Sequence, residues 1–400
     1  MKTKSILPRL KSDRSAFRPI KSMTPDGLAQ ILDAFHKGEL RRAALLWESI
    51  ERRDDVLQGV INKRKKSVAR LGWEVLTIED SPEALAQKQA LEYFYNHLTA
   101  THACDENQVG GFVLLVKQMM DAVAKKYAVH EIIYQPKEDP LGQKRLTANF
   151  RFVPLWFFQN REGRLKFMEQ EHPLYGDGGK LLKAGEWLVT VADGLMEASS
   201  IAYLFKHLPL CDWLLYCERS GLPGVKGVTQ AIPGSPEWEL AKEALQDFST
   251  EFAALISAGT DLQTIDLSTH GDLPYPALIE RMDRAMIALW RGADLSTFSS
   301  DAHGASLQNT ETSLLEDDDA LHISEMLNVQ VDRYVLEHVF GTVEPKAYVR
   351  LKVRDRADRM ADLTLCQTLH AMGLPLSHAD LRERFGLTTP DADEPVLAMI

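Results

Sequence analysis

The sequence contains no GxxxxGK(S/T) phosphate loop, no GxGxxG fingerprint, no HExxH helix and no GxSxG elbow. Each of these motifs exists because a chemistry demands it, whether cradling phosphates, holding zinc or exposing a nucleophile on a strained turn. Their joint absence argues against nucleotide-driven, dinucleotide-dependent, zinc-hydrolytic and serine-hydrolytic enzymes, and no cofactor or metal is expected. Cysteine is scarce: the four are Cys104, Cys211, Cys217 and Cys366, with no CxxC pair among them. That spacing suits buried free thiols in a reducing compartment better than a zinc site. No run of about 18 uncharged apolar residues occurs, so no membrane span is expected. The segment Met1–Arg9 is basic, but no continuous apolar stretch follows it to engage an export machinery, so a cytoplasmic product is expected. Internal repeats and low-complexity tracts are also missing.

What is present is ordinary globular composition, 45% hydrophobic and 26% charged over 400 residues, enough for two or three cores. The net charge of −11 is unevenly spread: residues 1–73 hold 17 Lys/Arg against 8 Asp/Glu, and the rest hold 29 against 49. Tight nucleic-acid binding wants a broad positive surface, because counterion release supplies most of the affinity. Either DNA is not the ligand, or the protein handles DNA without holding it.

Residues 1–22 are basic and aperiodic, an expected extended arm. Thr24-Pro25-Asp26 reads as a helix cap followed by proline at the first helical position. Apolar residues then recur at helical spacing in three sets: Leu28, Ile31, Leu32, Phe35; Leu40, Ala44, Trp47, Ile50; and Val56, Val60, Ile61, Val68. A strand is expected at 73–78, helices at 82–99 and 109–125, a strand at 129–134, and alternating strands and turns over 146–190. The first half is therefore α+β with a mostly antiparallel sheet. In the second half, 199–220 is apolar with Pro209 inside it, so it kinks or restarts there. Strands at 225–232 and 262–267 bracket a helix at 237–256, and a further helix covers 276–290. Residues 291–305 are polar and bounded by Gly292 and Gly304. The longest helical signal, Ser306–Phe340, would run roughly 50 Å and needs something extended to pack against. A strand near 347–353, two short helices around Gly373-Leu374-Pro375 and an acidic tail complete the chain.

Chemistry-bearing constellations are loose. His322 and Glu325 share a helix face near Glu316–Asp319, but no second half-site appears, so a solvated face is favoured over a metal site. His303 has no nameable nucleophile or orienting partner. His130-Glu131 lies in a strand, which sends the two side chains to opposite faces. The run Arg350–Arg359 mixes both signs and reads as solvated. The one basic cluster is Lys63-Arg64-Lys65-Lys66 with Arg70. It is either a solvated helix end or a contact patch for an acidic neighbouring subunit or DNA phosphates.

Several segments, in order, resemble the portal protein family of Mu-like tailed bacteriophages. Ala202-Tyr203-Leu204-Phe205-Lys206, then Asp212-Trp213, Glu218-Arg219 and Gly221-Leu222-Pro223, is similar to its "YLFK…DW…ER.G.P" stretch. Gly292 with Leu295-Ser296-Thr297 and Gly304-Ala305-Ser306 resembles its glycine-bounded loop, although Ser299-Ser300-Asp301-Ala302-His303 stands where relatives vary. Asp319-Ala320, Leu327-Asn328-Val329-Gln330-Val331 and Phe340-Gly341 resemble its long helix with "LN.Q" and "FG". Gly373-Leu374-Pro375 and Leu381-Arg382-Glu383-Arg384-Phe385-Gly386-Leu387 resemble its C-terminal signature. The chain ends soon after that signature, so the extension found in longer relatives is expected to be missing.

The resemblance implies an α+β portal fold: an N-terminal arm and wing at 1–198, stem helices at 199–220 and 274–290, a clip at 221–273, a channel loop at 291–305, and a long helix and crown at 306–400. It implies a non-enzymatic subunit of a homo-oligomeric ring, typically twelve-fold, at a phage or prophage head-to-tail connection. Double-stranded DNA would pass through the ring, with terminase, capsid and head-completion proteins as partners. The product would be a virion component assembled in the host bacterial cytoplasm. The expected channel-loop residues are Gly292, Ser296, Thr297, Phe298, Ser299, Ser300, His303 and Gly304, and the expected basic contact patch is Lys63, Arg64, Lys65 and Lys66. The neighbouring subunits of a ring would supply the packing surface of the long helix. The alternative is a nucleic-acid-binding or processing protein using the basic N-terminal region.

Overall fold

Thr24 caps the first helix, its hydroxyl accepting the Gly27 N–H at 3.1 Å, and Pro25 opens the helix. In the computed structural model this helix, α1 (Pro25–His36), buries Leu28, Ile31, Leu32 and Phe35 against α2 (Leu40–Arg53), where Phe35 meets Trp47 edge-on at 4.7 Å. The model describes residues 23–138, 144–168, 179–221, 224–251, 261–265, 273–292, 302–341, 344–353, 359–375, 377 and 381–382. It divides into two compact units, 1–352 and 353–400. The turn between α1 and α2 needs Gly38: its φ is +91°, and a Cβ there would stand 1.7 Å from the Asn160 carbonyl oxygen. Helix α3 (Asp55–Ala69) is capped by Asp54 and buries Leu57, Ile61 and Val68 together with Arg64 and Lys65. The expected inward positions Val56 and Val60 are only half-buried. The inward face is rotated toward Leu57 because two charged side chains also point inward.

Strand β1 (Trp73–Thr77) leads to α4 (Pro82–His97), whose cap is Ser81. The single helix expected over 109–125 is instead three elements. After β2 (Thr99–His102) come a short β3 (Val109–Gly110), α5 (Phe112–Met119) and α6 (Asp121–Lys125). The Gly110-Gly111 pair delays the helix start, and Lys126 at φ +73° turns the chain out of α6 into strand β4. Strands β4 (Tyr127–Glu138), β5 (Lys144–Val153) and β9 (Trp187–Val191) complete a five-stranded sheet in the order β3-β2-β5-β4-β9. It is antiparallel except for the β2–β5 pair. His130 and Glu131 are both buried, on opposite faces of β4, as strand alternation requires. A smaller sheet joins β6 (Phe158–Arg161), β7 (Arg164–Phe167) and β8 (Lys180–Leu181).

Beyond the sheet come α7 (Met196–Gly221), β10 (Gly224–Val228), α8 (Pro236–Glu251), β11 (Asp261–Ile265) and α9 (Pro274–Arg291), with β10 and β11 paired antiparallel. Helix α7 runs through Pro209 without a restart. The long helix begins earlier than expected. It consists of α10 (Ala302–Leu327), a π-helical turn (Asn328–Asp332) and α11 (Arg333–Phe340). Its second half does not wait for a neighbouring subunit. Ala320, Ile323, Leu327, Val331, Val335 and Leu336 are buried within the chain. In the C-terminal unit, α12 (Arg359–Ala371) buries Cys366, whereas Cys211 and Cys217 are exposed, contrary to the expectation of buried thiols.

The long helix reaches two strands through side chains. Gln330 behaves as a backbone peptide toward β9: its Oε1 accepts the Val189 N–H at 2.9 Å and its Nε2 donates to the Val189 carbonyl at 2.8 Å. On strand β12 (Ala347–Leu351), which pairs with β1, the Val349 N–H donates to Asp332 and the Leu351 N–H to the Ser324 hydroxyl. The π turn inserts an extra residue into the helix register and so aims Gln330 and Asp332 at different sheets.

Asp332 also accepts from Tyr95 Oη at 2.6 Å. Burial pushes its carboxyl up to about 7, and the bonds from Tyr95 and Val349 only partly oppose that. Between the ordinary carboxylate range and pH 7 the folded chain therefore holds a proton that the unfolded chain has released, so this group's contribution to stability falls as pH rises. Asp332→Asn removes the titration, with the amide oxygen still accepting the Val349 N–H and Nδ2 turned to the Tyr95 hydroxyl, which then accepts. Melting temperatures across pH 5–8 should show the wild type losing stability relative to the variant as pH rises. Parallel curves would contradict the assignment.

Candidate functional site

Helices α7 and α9 form an antiparallel pair in register. Near one end the rings of Trp213 and Tyr275 stack at 6.5 Å, and at the other Trp290 Nε1 donates to Ser199 Oγ at 2.9 Å. Between them Lys206 Nζ lies 2.7 Å from Asp283 of α9 and 2.9 Å from Asp54 at the cap of α3, with Asp55 at 3.3 Å. Burial opposes the charge on Lys206, but hydrogen bonds to Asp283 and Asp54 outweigh it and hold the amine above its ordinary range. One lysine thus joins three helices.

The opposite flank of α7 is bare. Ile201, Phe205 and Leu208 fall on one helical face and are 41%, 49% and 39% exposed, and the exposed Asp212 interrupts that face before Leu215. This two-turn apolar patch on a pinned helix is a candidate surface for a further protein to cover.

Helix α9 ends at Gly292, left-handed at φ +73°, where a Cβ would meet Leu315 at 3.1 Å. Its last turn is held from two sides. Arg64 Nη1 donates to the Trp290 carbonyl at 3.1 Å, and Thr312 Oγ1 donates to the Arg291 carbonyl at 3.0 Å. The same guanidinium clasps Asp319 of α10 through Nε at 2.7 Å and Nη2 at 3.1 Å.

Of the expected channel-loop residues, Gly292 is this C-cap, and Ser296, Thr297, Phe298, Ser299 and Ser300 lie outside the described residues. His303 and Gly304 have helical backbone in the first turn of α10, which corrects the expected loop boundary at 305. A glycine can start a helix as well as hinge a loop, and composition alone did not separate the two.

The expected basic patch divides in two. Lys63 and Lys66 are exposed on α3. Arg64 and Lys65 are buried at 7% and 6% exposure, so the contact surface loses its two central charges. Lys65 Nζ lies 2.7 Å from Glu51 and 2.8 Å from Asp121, and Lys125 closes the ring at 3.0 Å from Asp121 and 3.6 Å from Glu51. Burial would raise the Asp121 carboxyl, but Lys125 and Lys65 hold it well below the usual range. Lys63, Lys66 and Arg70, at i, i+3 and i+7, share the outer face of α3, and none has a carboxylate within ion-pair distance among the described residues.

Sequence reasoning missed Lys206, Ser199, Trp290 and Asp319 as organising residues. The signal for Lys206 was available, as a lone lysine between apolar residues with acids at Asp54 and Asp55 and at Asp283 to receive it. His322, weighed as a metal ligand, bonds through Nε2 with the Val191 carbonyl. Among the described residues no three His, Cys, Asp or Glu side chains converge as metal ligands, and no helix is long and apolar enough to cross a membrane.

Known proteins resemble this chain in sequence and in fold. The Mu-like prophage FluMu protein gp29 of Haemophilus influenzae is 22% identical over 306 residues, covering 73% of this chain and 54% of that protein. The portal protein of Escherichia phage Mu is 21% identical over 304 residues, covering 74% and 56%. The chain thus spans just over half the length of these curated relatives. Among solved structures, a chain from the virion of a native gene transfer agent particle superposes with a TM-score of 0.52 at 12% identity, over 91% of this chain and 100% of that one. A chain from the neck of the native particle, computed with C12 symmetry, gives 0.51 at 10% identity, over 90% and 99%. These structures share the fold. The family model described as the portal protein of Mu bacteriophage matches residues 44–387, and the chain belongs to that family.

Proposed function

We propose that the chain is a portal subunit of a Mu-like tailed phage or prophage, assembling into a homo-oligomeric ring through which double-stranded DNA is packaged and ejected. The observation that carries this reading is the bare apolar flank of α7, on a helix whose other flank is pinned to α9 and α3 by Lys206. Copies arranged head to tail around a closed ring cover such a flank with an unlike surface of the next copy. Twelve copies, as the family resemblance implies, are the proposed number. The acidic balance supports passage of DNA over adhesion, because a polyanion slides past a surface that gains nothing from releasing its counterions. Terminase, capsid and head-completion proteins are the proposed partners and the virion the proposed location. The reading assigns the chain no catalytic role.

Three outcomes test it. Phe205→Asp places a charge in the middle of the stripe and should lower the ring fraction by about tenfold or more while leaving the monomer folded. Light scattering and negative-stain microscopy read this, and full rings from the variant would remove the stripe from the interface. Lys63, Lys66 and Arg70 are proposed to meet acidic surface on a neighbouring subunit or partner. Reversing all three charges should weaken assembly in a salt-dependent way, and unchanged assembly and packaging would leave the face merely solvated. Residues 293–301 are proposed as a channel loop that contacts passing DNA. Deleting 294–301 should leave ring assembly intact but give heads that package poorly or leak DNA, and a normal titre would count against that role.

A further inference from the structure

We propose that Arg64 is a positioning residue that fixes the last turn of α9, where the chain enters the 293–301 segment, against the middle of α10 and against α3. This rests on the reading of that segment as a channel loop, but the geometry that motivates it lies wholly among described residues. A single buried guanidinium makes three bonds, two to the Asp319 carboxylate on α10 and one to the Trp290 carbonyl in the last turn of α9. The planar fork of arginine allows this, because its donors leave in fixed, diverging directions. A lysine delivers one compact charge and cannot hold a carboxylate in two-point contact while reaching a carbonyl on another helix.

The carbonyl is an informative partner. The last four carbonyls of a helix have no acceptor role inside it, and they are normally met by water or by capping groups. Here Trp290 is buried at 1% exposure, so water does not serve its carbonyl, and Arg64 does. The neighbouring Arg291 carbonyl is met by Thr312 of α10, and Gly292 lies against Leu315 one turn further on. The end of α9 and the stretch 312–319 of α10 are therefore fixed relative to α3 and not only to one another. The position at which chain leaves α9 is decided by a helix of the N-terminal region.

Two variants test this. The double substitution R64M/D319L exchanges the buried ion pair for apolar side chains, a change that commonly leaves stability unharmed, but it abolishes the bond to Trp290. The single substitution R64K keeps a cation for Asp319 and loses the fork. Hydrogen–deuterium exchange on assembled rings should show amides at 288–292 and 312–320 exchanging about fivefold to tenfold faster in both variants, with ring fraction unchanged and the melting temperature lowered by only about a few degrees. Wild-type exchange in either variant would overturn the proposal, as would an increase spread evenly over the chain. DNA retention, measured in parallel, separates this from the loop reading. Faster local exchange with fully retained DNA would leave Arg64 as the anchor and remove the loop's role in retention.

Discussion

A charge taken out of water has to meet its opposite inside the protein, because an unpaired buried ion costs several kcal/mol and its loss of a partner typically about 3–5. Helix α3 concentrates such charges: Asp54 at its cap, and Arg64 and Lys65 on its inner face. Each faces a different part of the molecule. Asp54 receives Lys206 from α7, Arg64 receives Asp319 from α10, and Lys65 enters the closed ring with Glu51, Asp121 and Lys125. These pairings are directional in a way apolar packing is not, so they specify which elements lie beside α3 and in what register. The α7–α9 pair is held from the α3 side, and its free stripe faces away for that reason.

The long helix solves a second problem, that of strand edges. A strand edge exposes N–H and C=O groups that invite pairing with a foreign strand. The outer edge of β9 meets the Gln330 amide, and the outer edge of β12 meets Asp332 and Ser324, all from one continuous helix. A regular α-helix presents residues two apart about 200° from one another, and the π turn resets that angle where Gln330 and Asp332 must serve separate sheets. The cost is a buried carboxyl shifted toward neutrality, and the return is a helix joined to both sheets by hydrogen bonds as well as by its apolar face.

Much of the local structure was legible in the sequence because its determinants are local. Thr24-Pro25 and Ser81-Pro82 start their helices as such residues do, and the apolar sets of α1 and α2 point inward as their spacing demands. The failures occur where a distant partner decides. Lys63–Lys66 reads as one basic surface, yet helical geometry sends its inner two members toward Asp319, more than 200 positions away, and toward Asp121. The long helix seemed to need a neighbouring subunit because β9 and β12, which receive it, lie far from it or after it in the chain. The end of the polar segment at 305 was set by composition, whereas helix α10 starts at Ala302. For the stripe on α7, the sequence displays the apolar residues but not which of them the chain covers itself.

The same burial bears on the charge pattern. The excess of cations in residues 1–73 looked like the one region able to grip phosphates. Arg64 and Lys65 cannot do so, since each is enclosed and already bonded to carboxylates. What α3 shows to solvent is the narrower row Lys63, Lys66 and Arg70, on a helix face rather than across a groove. Counterion release scales with the number of phosphates neutralised, so three cations in a row provide modest and strongly salt-dependent attraction. A row of this kind suffices for a local protein contact and is by itself too narrow for a durable hold on duplex DNA.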